Sequence, residues 1–210
     1  ATMSNYGPET FLRQFVVSRE TLNRLHAFVE LLLHWQTSLN LISSGTTKEI
    51  WKRHILDSAQ LFNLVQGPGC LLDLGSGAGF PGIVLAILGR LNIKLIESNG
   101  KKCTFLRAVC RSLDLEVDVI QSRIEEYRPS LQAHYITSRA LAPLEKLLGY
   151  SVPLLSPDGR CLFLKGENVG TELTQAKKNW NIKFRTHASL SDPNGVILDI
   201  GCISSIHGNT

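Results

Sequence analysis

Beyond a break at residues 66–69 (QGPG), the periodicity of this chain changes from helical to strand-like, and that change limits the fold more than any other feature. The runs CLLDL (70–74), IKLIE (93–97), VDVIQ (117–121), YITSR (135–139) and GRCLFLK (159–165) are short and apolar or alternating, which predicts strands. Helix-like segments lie between them at 81–88, 101–113 and 143–155, with a short turn near 124–127, and another such segment follows at 172–180. Parallel strands can be joined only by a crossover, usually a helix, so this alternation predicts βαβ units and a mostly parallel sheet covered on both faces. Two further runs, IKFRTH (182–187) and VILDIGCIS (196–204), have no helix between them and predict an antiparallel pair turning through SDPNG (191–195). The expected fold class is α/β, with about seven strands, an antiparallel C-terminal strand and a helical segment in front.

That leading segment predicts two helices. Over 18–39, Leu22, Leu25, Phe28, Val29, Leu32, Leu33 and Leu39 recur near helical spacing, and Ser18 and Thr21 offer N-terminal capping oxygens. Over 48–65, Ile50, Trp51, Ile55, Leu61 and Phe62 act as apolar anchors. With 210 residues and 43% hydrophobic content the chain suits one compact unit, divided here into a helical extension (1–66) packed on a core (67–210). Five cysteines form no C-x-x-C pair, and four of them sit in apolar or helical runs where a buried free thiol is the ordinary reading, which points to a reducing, cytoplasmic setting; no leader or membrane-length apolar run is expected. The net charge of +4 is spread without a basic tail, so any nucleic-acid contact must come from a folded patch. A monomer is expected, with no membrane partner and no bound metal.

The stretch LLDLGSGAGFPG (71–82) places Gly75, Gly77 and Gly79 directly after the first strand, where open parallel sheets bind their ligands. A triphosphate loop needs a lysine followed by serine or threonine, and the chain has no such pair. The dinucleotide pattern needs a third glycine where Phe80 stands, and Asp73 would oppose a pyrophosphate. A cationic nucleoside suits the loop better. S-Adenosylmethionine carries a sulfonium and an amino group that an acid at the strand end favours. Glu97, ending the second strand, is placed to accept from both ribose hydroxyls.

The blocks D-L-G-S-G-A-G-F-P-G and L-I-E-S follow the pattern of class I S-adenosylmethionine-dependent methyltransferases, whose core is a Rossmann-like sheet. Together with W-x4-N-L-I-S (35–43), R-H-I-L-D-S (53–58), K-K-x2-F-L-R (101–107), S-R-I-E-E (122–126), S-R-A-L-A-P-L (138–144) and L-F-L-K-G (162–166), the chain resembles the RsmG, or GidB, family. That resemblance implies bacterial methylation of guanine N7 in a decoding-region loop of 16S ribosomal RNA, with the RNA or the small ribosomal subunit as partner. It implies cofactor contacts at Gly75, Phe80, Ile124, Glu125 and Arg139, with Glu97 on the ribose, and the loop itself adds Asp73, Gly77 and Gly79 as candidates. The family often has aspartate where Glu97 stands.

Guanine N7 has a lone pair and no proton to lose, so no residue is assigned as an acid or base, and alignment carries the catalysis. Asn40, His54, Asp57, Arg139 and Lys165 resemble the family's polar set and are candidates for positioning the substrate. His54 and Asp57, three apart, equally suit bracing a helix, and Asn40 equally suits a helix cap. Arg53, Lys101, Lys102 and Arg107 are candidate phosphate contacts, against the plain alternative of a solvated helix face. Two rival readings stay open: an NAD-dependent oxidoreductase, disfavoured by Phe80 and Asp73, and an RNA-binding or ribosome-assembly protein with a residual cofactor pocket.

Overall fold

The computed structural model describes residues 5–208 as a seven-stranded sheet with helices on both faces. The strands are β1 (Leu71–Leu74), β2 (Ile93–Glu97), β3 (Val117–Gln121), β4 (Ala133–Arg139), β5 (Leu155–Lys165), β6 (Trp180–Ala188) and β7 (Val196–Ser205). Their order is β3-β2-β1-β4-β5-β7-β6, with β7 antiparallel to both neighbours and every other pairing parallel. This is the mostly parallel sheet with one antiparallel C-terminal strand that the alternation predicted, and the strand order reverses between β1 and β4. Such a reversal opens a crevice beyond the carboxyl ends of the strands.

The helices are α1 (Pro8–Gln14), α2 (Arg19–Gln36), α3 (Asp57–Ala59), α4 (Gly82–Ile87), α5 (Gly100–Ser112), α6 (Leu144–Ser151) and α7 (Val169–Ala176). Alternation along β1 sends Leu71 to one face and Leu72 and Leu74 to the other. The first face is covered by α1, α2, α4 and α5 in one continuous apolar cluster, and the second by α6 and α7. Helix α2 starts at Ser18, whose hydroxyl accepts from Thr21 N–H at 3.1 Å, and buries Leu22, Leu25, Phe28, Val29 and Leu32. Phe28 reaches across to Phe80, ring centroids 5.4 Å apart, so the extension packs directly on the glycine-rich loop. Among the described residues no helix is long and apolar enough to cross a membrane.

Two differences from the sequence expectation have physical causes. Helix α1 gave no periodic signal because it has only 7 residues and one buried side chain, Phe11, which stacks on Phe15 and tilts against Trp51. The helix expected over 48–65 is instead broken into a 3-10 segment (Ser44–Glu49), a π turn (Trp51–Leu56), α3 and a second 3-10 turn (Phe62–Leu64). Residues 54–56 and 58–61 are all buried, so the segment is enclosed on several sides rather than along one stripe. The wider π turn carries His54 on the last turn before Asp57, and both turn toward the sheet.

The link between extension and core is tied down by a residue that sequence reasoning passed over. Arg90, 8% exposed, donates to the carbonyls of Val65 (2.6 Å), Gly69 (2.9 Å) and Leu91, and its guanidinium lies over the Tyr135 ring. Tyr135 in turn accepts from Gly67 N–H at 3.0 Å through its hydroxyl. Arg90→Met keeps the apolar stem but leaves three carbonyls without their donor, and is expected to cost on the order of 3 kcal/mol in urea unfolding. Hydrogen exchange should rise first in residues 62–69. An unchanged midpoint would show the linker to be held by other contacts.

Candidate active site

A cavity of about 480 Å³ opens at the carboxyl ends of β1 to β4. Its walls come from Gly75 and Gly77 after β1, Glu97 and Ser98 after β2, residues 122–125 after β3, and Leu141 and Ala142 after β4, with Lys102 of α5 and Lys146 and Tyr150 of α6 at the rim. The volume is that of a small-molecule site.

The glycine loop is held from beneath by Asp73. Fully buried, its Oδ2 accepts from Gly82 N–H (3.1 Å), its Oδ1 from the Thr137 hydroxyl (2.8 Å), and its carbonyl from the Ser76 hydroxyl (3.1 Å). Burial pushes the Asp73 carboxyl up to about 6, against the pull of its hydrogen bonds from Thr137, Ser76 and Gly82. With both oxygens engaged and no exposed surface, Asp73 stands outside the cavity wall, and its work is to hold the loop. Gly82 is needed for that contact, since a Cβ there would lie 2.8 Å from Asp73 Oδ2 and 2.3 Å from Leu95.

Glu97 ties the first two loops together. Its Oε1 accepts from Gly77 N–H and its Oε2 from Asn99 N–H, both at 2.8 Å. Each oxygen keeps a lone pair for a hydroxyl arriving from the cavity. Most of the other N–H groups of the loop are also spent: Gly75 and Ser76 donate to the Ile96 carbonyl, and Gly79 and Phe80 to the Ser76 carbonyl, which leaves Ala78 N–H alone without an acceptor among the described residues of 75–80. A phosphate-binding loop presents several free N–H groups to its ligand, and this one keeps at most one. Gly77, at φ +56°, lines the cavity, and a Cβ on it would meet only the Gly75 carbonyl at 3.9 Å, so the bare backbone here makes room for an occupant and not for the protein. Ile124 and Glu125 form the far wall, and the Glu125 carboxyl is held below its ordinary range by its own backbone N–H, with Tyr150, Arg123 and Lys146 adding to the effect. A bare glycine cradle, a hydroxyl-accepting carboxylate and spent N–H groups fit the adenosyl cofactor inferred from sequence and do not fit a pyrophosphate.

Several expected site residues are placed elsewhere. Gly79, at φ +98°, faces Ile83 and Leu106 in the core. Phe80 is buried between Phe28, His54 and the guanidinium of Arg139, at 5.4, 5.0 and 5.0 Å, and lies outside the cavity wall. Arg139 also turns away from that cavity, toward the extension, donating to His54 Nδ1 (2.9 Å), the Arg53 carbonyl (3.1 Å) and Asp57 Oδ2 (3.4 Å). Burial, then the charges of Arg139 and Arg53, lower His54 to about 3, so the ring is neutral. Its Nδ1 therefore accepts from Arg139 and its Nε2–H donates to the Thr46 hydroxyl at 2.9 Å. A neutral ring already engaged at both nitrogens is a brace and not a proton shuttle.

Lys165, its side chain 6% exposed, donates to the Ala142 carbonyl (2.8 Å) and Glu172 Oε1 (2.9 Å), and the same carboxylate oxygen accepts from Leu144 N–H, fixing the turn after β4. Asn40 is exposed and makes no side-chain hydrogen bond among the described residues, while Gln36 instead holds the turn after α2 through Leu41 and Ile42. Arg53 is exposed and pairs with Glu49 at 3.3 Å. Lys101 is exposed at the start of α5 beside the cavity, Lys102 reaches its rim, and Arg107 faces the β3 edge, donating to the Val119 carbonyl. Lysines in the first turn run against the helix dipole, so folding alone does not favour them there. Sequence reasoning missed Lys146 and Tyr150. Their i, i+4 spacing was visible, but its meaning depends on α6 starting beside the cavity mouth. Among the described residues no group of three or more His, Cys, Asp or Glu side chains is placed to hold a metal.

A family described as rRNA small subunit methyltransferase G matches residues 21–194. Ribosomal RNA small subunit methyltransferase G of Paramagnetospirillum magneticum is 49% identical over 199 residues, covering 94% of this chain and 97% of that protein. The protein of the same name from Gluconobacter oxydans is 46% identical over 184 residues, covering 88% and 95%. Among solved structures, ribosomal protein L11 methylase from Lactobacillus delbrueckii subsp. bulgaricus superposes with TM-score 0.57 at 16% identity over 76% of this chain and 79% of that one. The glycopeptide N-methyltransferase MtfA, complexed with S-adenosyl-L-methionine, gives 0.55 at 10% identity over 70% and 94%. At these identities the structural likeness concerns the fold.

Two substitutions separate the roles of the loop. Asparagine tolerates positive φ, so Gly77→Asn should stay within about 1 kcal/mol of the wild type in stability. It should also weaken S-adenosylmethionine binding at least tenfold by calorimetry, because its side chain fills the cradle, and undiminished affinity would move the cofactor elsewhere. For Asp73, a raised folded pKa means that its contribution is complete below about pH 4 and is lost as pH rises through about 6. The stability of Asp73→Asn relative to the wild type should therefore climb by about 2 kcal/mol between pH 4 and 7, and a flat difference would show the carboxyl to be ordinary.

Proposed function

Because this chain belongs to the rRNA small subunit methyltransferase G family, we propose that it transfers a methyl group from S-adenosylmethionine to N7 of a guanine in 16S ribosomal RNA. The observation that carries the reading is the spent glycine loop beside Glu97, a site suited to a cationic nucleoside and hostile to phosphates. When bound, the cofactor supplies an activated methyl group on a sulfonium.

The chain supplies the rest. Glu97 takes the ribose hydroxyls on its remaining lone pairs, Gly75 and Gly77 give the backbone surface against which the nucleoside lies, and Ile124 and Glu125 meet the adenine edge. N7 of guanine attacks through an in-plane lone pair, so no side chain needs to remove a proton. That agrees with a neutral His54 locked between Arg139 and Thr46. What the protein contributes is alignment, worth about 7–11 kcal/mol in favourable cases. The helical extension contributes Asp57 to the wall of the substrate cleft, braced by His54 and with Arg53 exposed nearby, and the lysines of α5 serve as phosphate contacts. On this reading the enzyme works in the cytoplasm, where its ribosomal substrate is, and as a monomer, since the cavity is complete within one chain.

Small ribosomal subunits lacking the modification should accept labelled methyl, and mass spectrometry of nuclease fragments should place it on one guanine. Substitution of that guanosine by 7-deazaguanosine should abolish transfer. RNA binding without transfer would replace the enzyme with an RNA-binding protein. Because Lys102 reaches the cofactor cavity, Lys101 is the cleaner probe: Lys101→Ala should leave cofactor affinity unchanged and lower the salt slope of RNA binding by about 0.7–0.9. An unchanged slope would remove Lys101 from the RNA path.

A further inference from the structure

A second cavity, of about 170 Å³, lies between the carboxyl ends of β4 and β5 and the β6–β7 turn. That is about six liquid-water volumes, the scale of one base rather than of a nucleotide. A wider cavity lies between it and the cofactor site: it shares Leu141 and Ala142 with the cofactor cavity, and Ala140, Leu164, Lys165 and Gly166 with the small one. Ala140, at the bend, has φ +50°, a conformation that an alanine holds only where the surroundings impose it.

The small cavity is lined by two carboxylates, Asp57 and Asp192, and two cations, Arg139 and Lys165. Asp57 is committed on both oxygens, to Ser191 and Gln60 on one and to Arg139 on the other. Asp192 is not. Its Oδ1 accepts from Asn194 N–H at 2.9 Å, and its Oδ2 has no hydrogen bond among the described residues. The turn that carries it is also more firmly held than a hairpin connection requires. Ser189 Oγ accepts from both Ser191 and Asp192 N–H at 3.2 Å, Gly195 N–H returns to the Asp192 carbonyl at 3.0 Å, and Leu190 N–H is tethered to Gln60 Oε1 at 2.9 Å. A carboxylate with one uncommitted oxygen, on a well-tethered turn that lines a base-sized cavity with cations on its other walls, is a preorganised acceptor.

We propose that this cavity receives the acceptor guanine and that Asp192 accepts hydrogen bonds from its N1–H and N2–H2 edge, an inference that rests on the methyl-transfer reading above. Guanine presents two adjacent donors on that edge with the O6 acceptor beside them, which matches one carboxylate flanked by cations. Adenine would turn its N1 lone pair against the carboxylate and its amino group toward the cations. Holding the N1–N2 edge leaves N7, on the opposite side of the purine, as the edge free to face the cofactor cavity.

The test compares guanosine with inosine, which lacks the N2 amino group, at the methylated position of the RNA, for wild type and Asp192→Asn. Asparagine keeps an oxygen for Asn194 N–H, so the turn survives, and an unchanged melting temperature checks it. In the wild type, inosine should lower kcat/KM about 10-fold, and Asp192→Asn should lower it about 10- to 100-fold on guanosine. In that variant the inosine penalty should shrink to about 2-fold, an outcome a merely structural aspartate would not produce. Retention of the full inosine penalty by Asp192→Asn, or no penalty in the wild type, overturns the assignment while the methyl transfer stands. A wild type that transfers nothing to the guanosine RNA overturns both.

Discussion

Asp73 sits fully buried with its two carboxylate oxygens on Gly82 N–H and the Thr137 hydroxyl, and its carbonyl on the Ser76 hydroxyl, so β1, β4, the glycine loop and the start of α4 converge on one residue. A buried carboxylate is costly, and here the cost is met by donors that can be in place only when the loop and the neighbouring strand are correctly arranged. Glu97 repeats the principle one strand over, spending both oxygens on backbone N–H groups and so fixing the distance between two loops. The bare surface at Gly77 is a product of these two anchors. Without them a chain with four glycines in 75–82 would have no single conformation to offer a ligand.

The cations near the site divide between holding and contacting. Arg139 is spent on the π turn of the extension, Lys165 on the turn after β4, and Arg90 on the linker. Lys101, exposed against the dipole of α5, is left to meet something outside the protein. Counting basic residues would have put all of them in one class. Burial and hydrogen-bond partners separate them, because a guanidinium that already satisfies three carbonyls has little left for a phosphate.

The sheet could be read from the sequence almost strand for strand, because the strands are apolar or alternating runs and most are set off by a helix or a helical turn, and the antiparallel C-terminal pair followed from the missing helix between its members. The irregular segment 44–64 could not, since enclosure on several sides erases the stripe that periodicity detects. The same limit applied at the site. Glu97 and the glycines announce themselves by position after a strand, whereas Phe80 and Arg139 have roles set by which residue lies across from them: Phe28 and His54 for the one, Asp57 and the Arg53 carbonyl for the other. Asp192 was silent for a similar reason, as a turn aspartate reads as turn chemistry until the turn is seen facing a cavity.

The tether between Gln60 and Leu190, with that between Asp57 and Ser191, joins segments 130 or more residues apart in the chain. The cofactor cavity, by contrast, is built entirely from residues 75–150. The turn that carries Ala142 into that cavity is nevertheless held by Lys165 and Glu172, which follow it in the chain. During synthesis, therefore, Ala142 lacks its anchor until β5 and α7 are made, and Asp57 and Gln60 lack their partners until the 189–195 turn is made. Neither cavity reaches its final form before the last third of the chain has emerged from the ribosome.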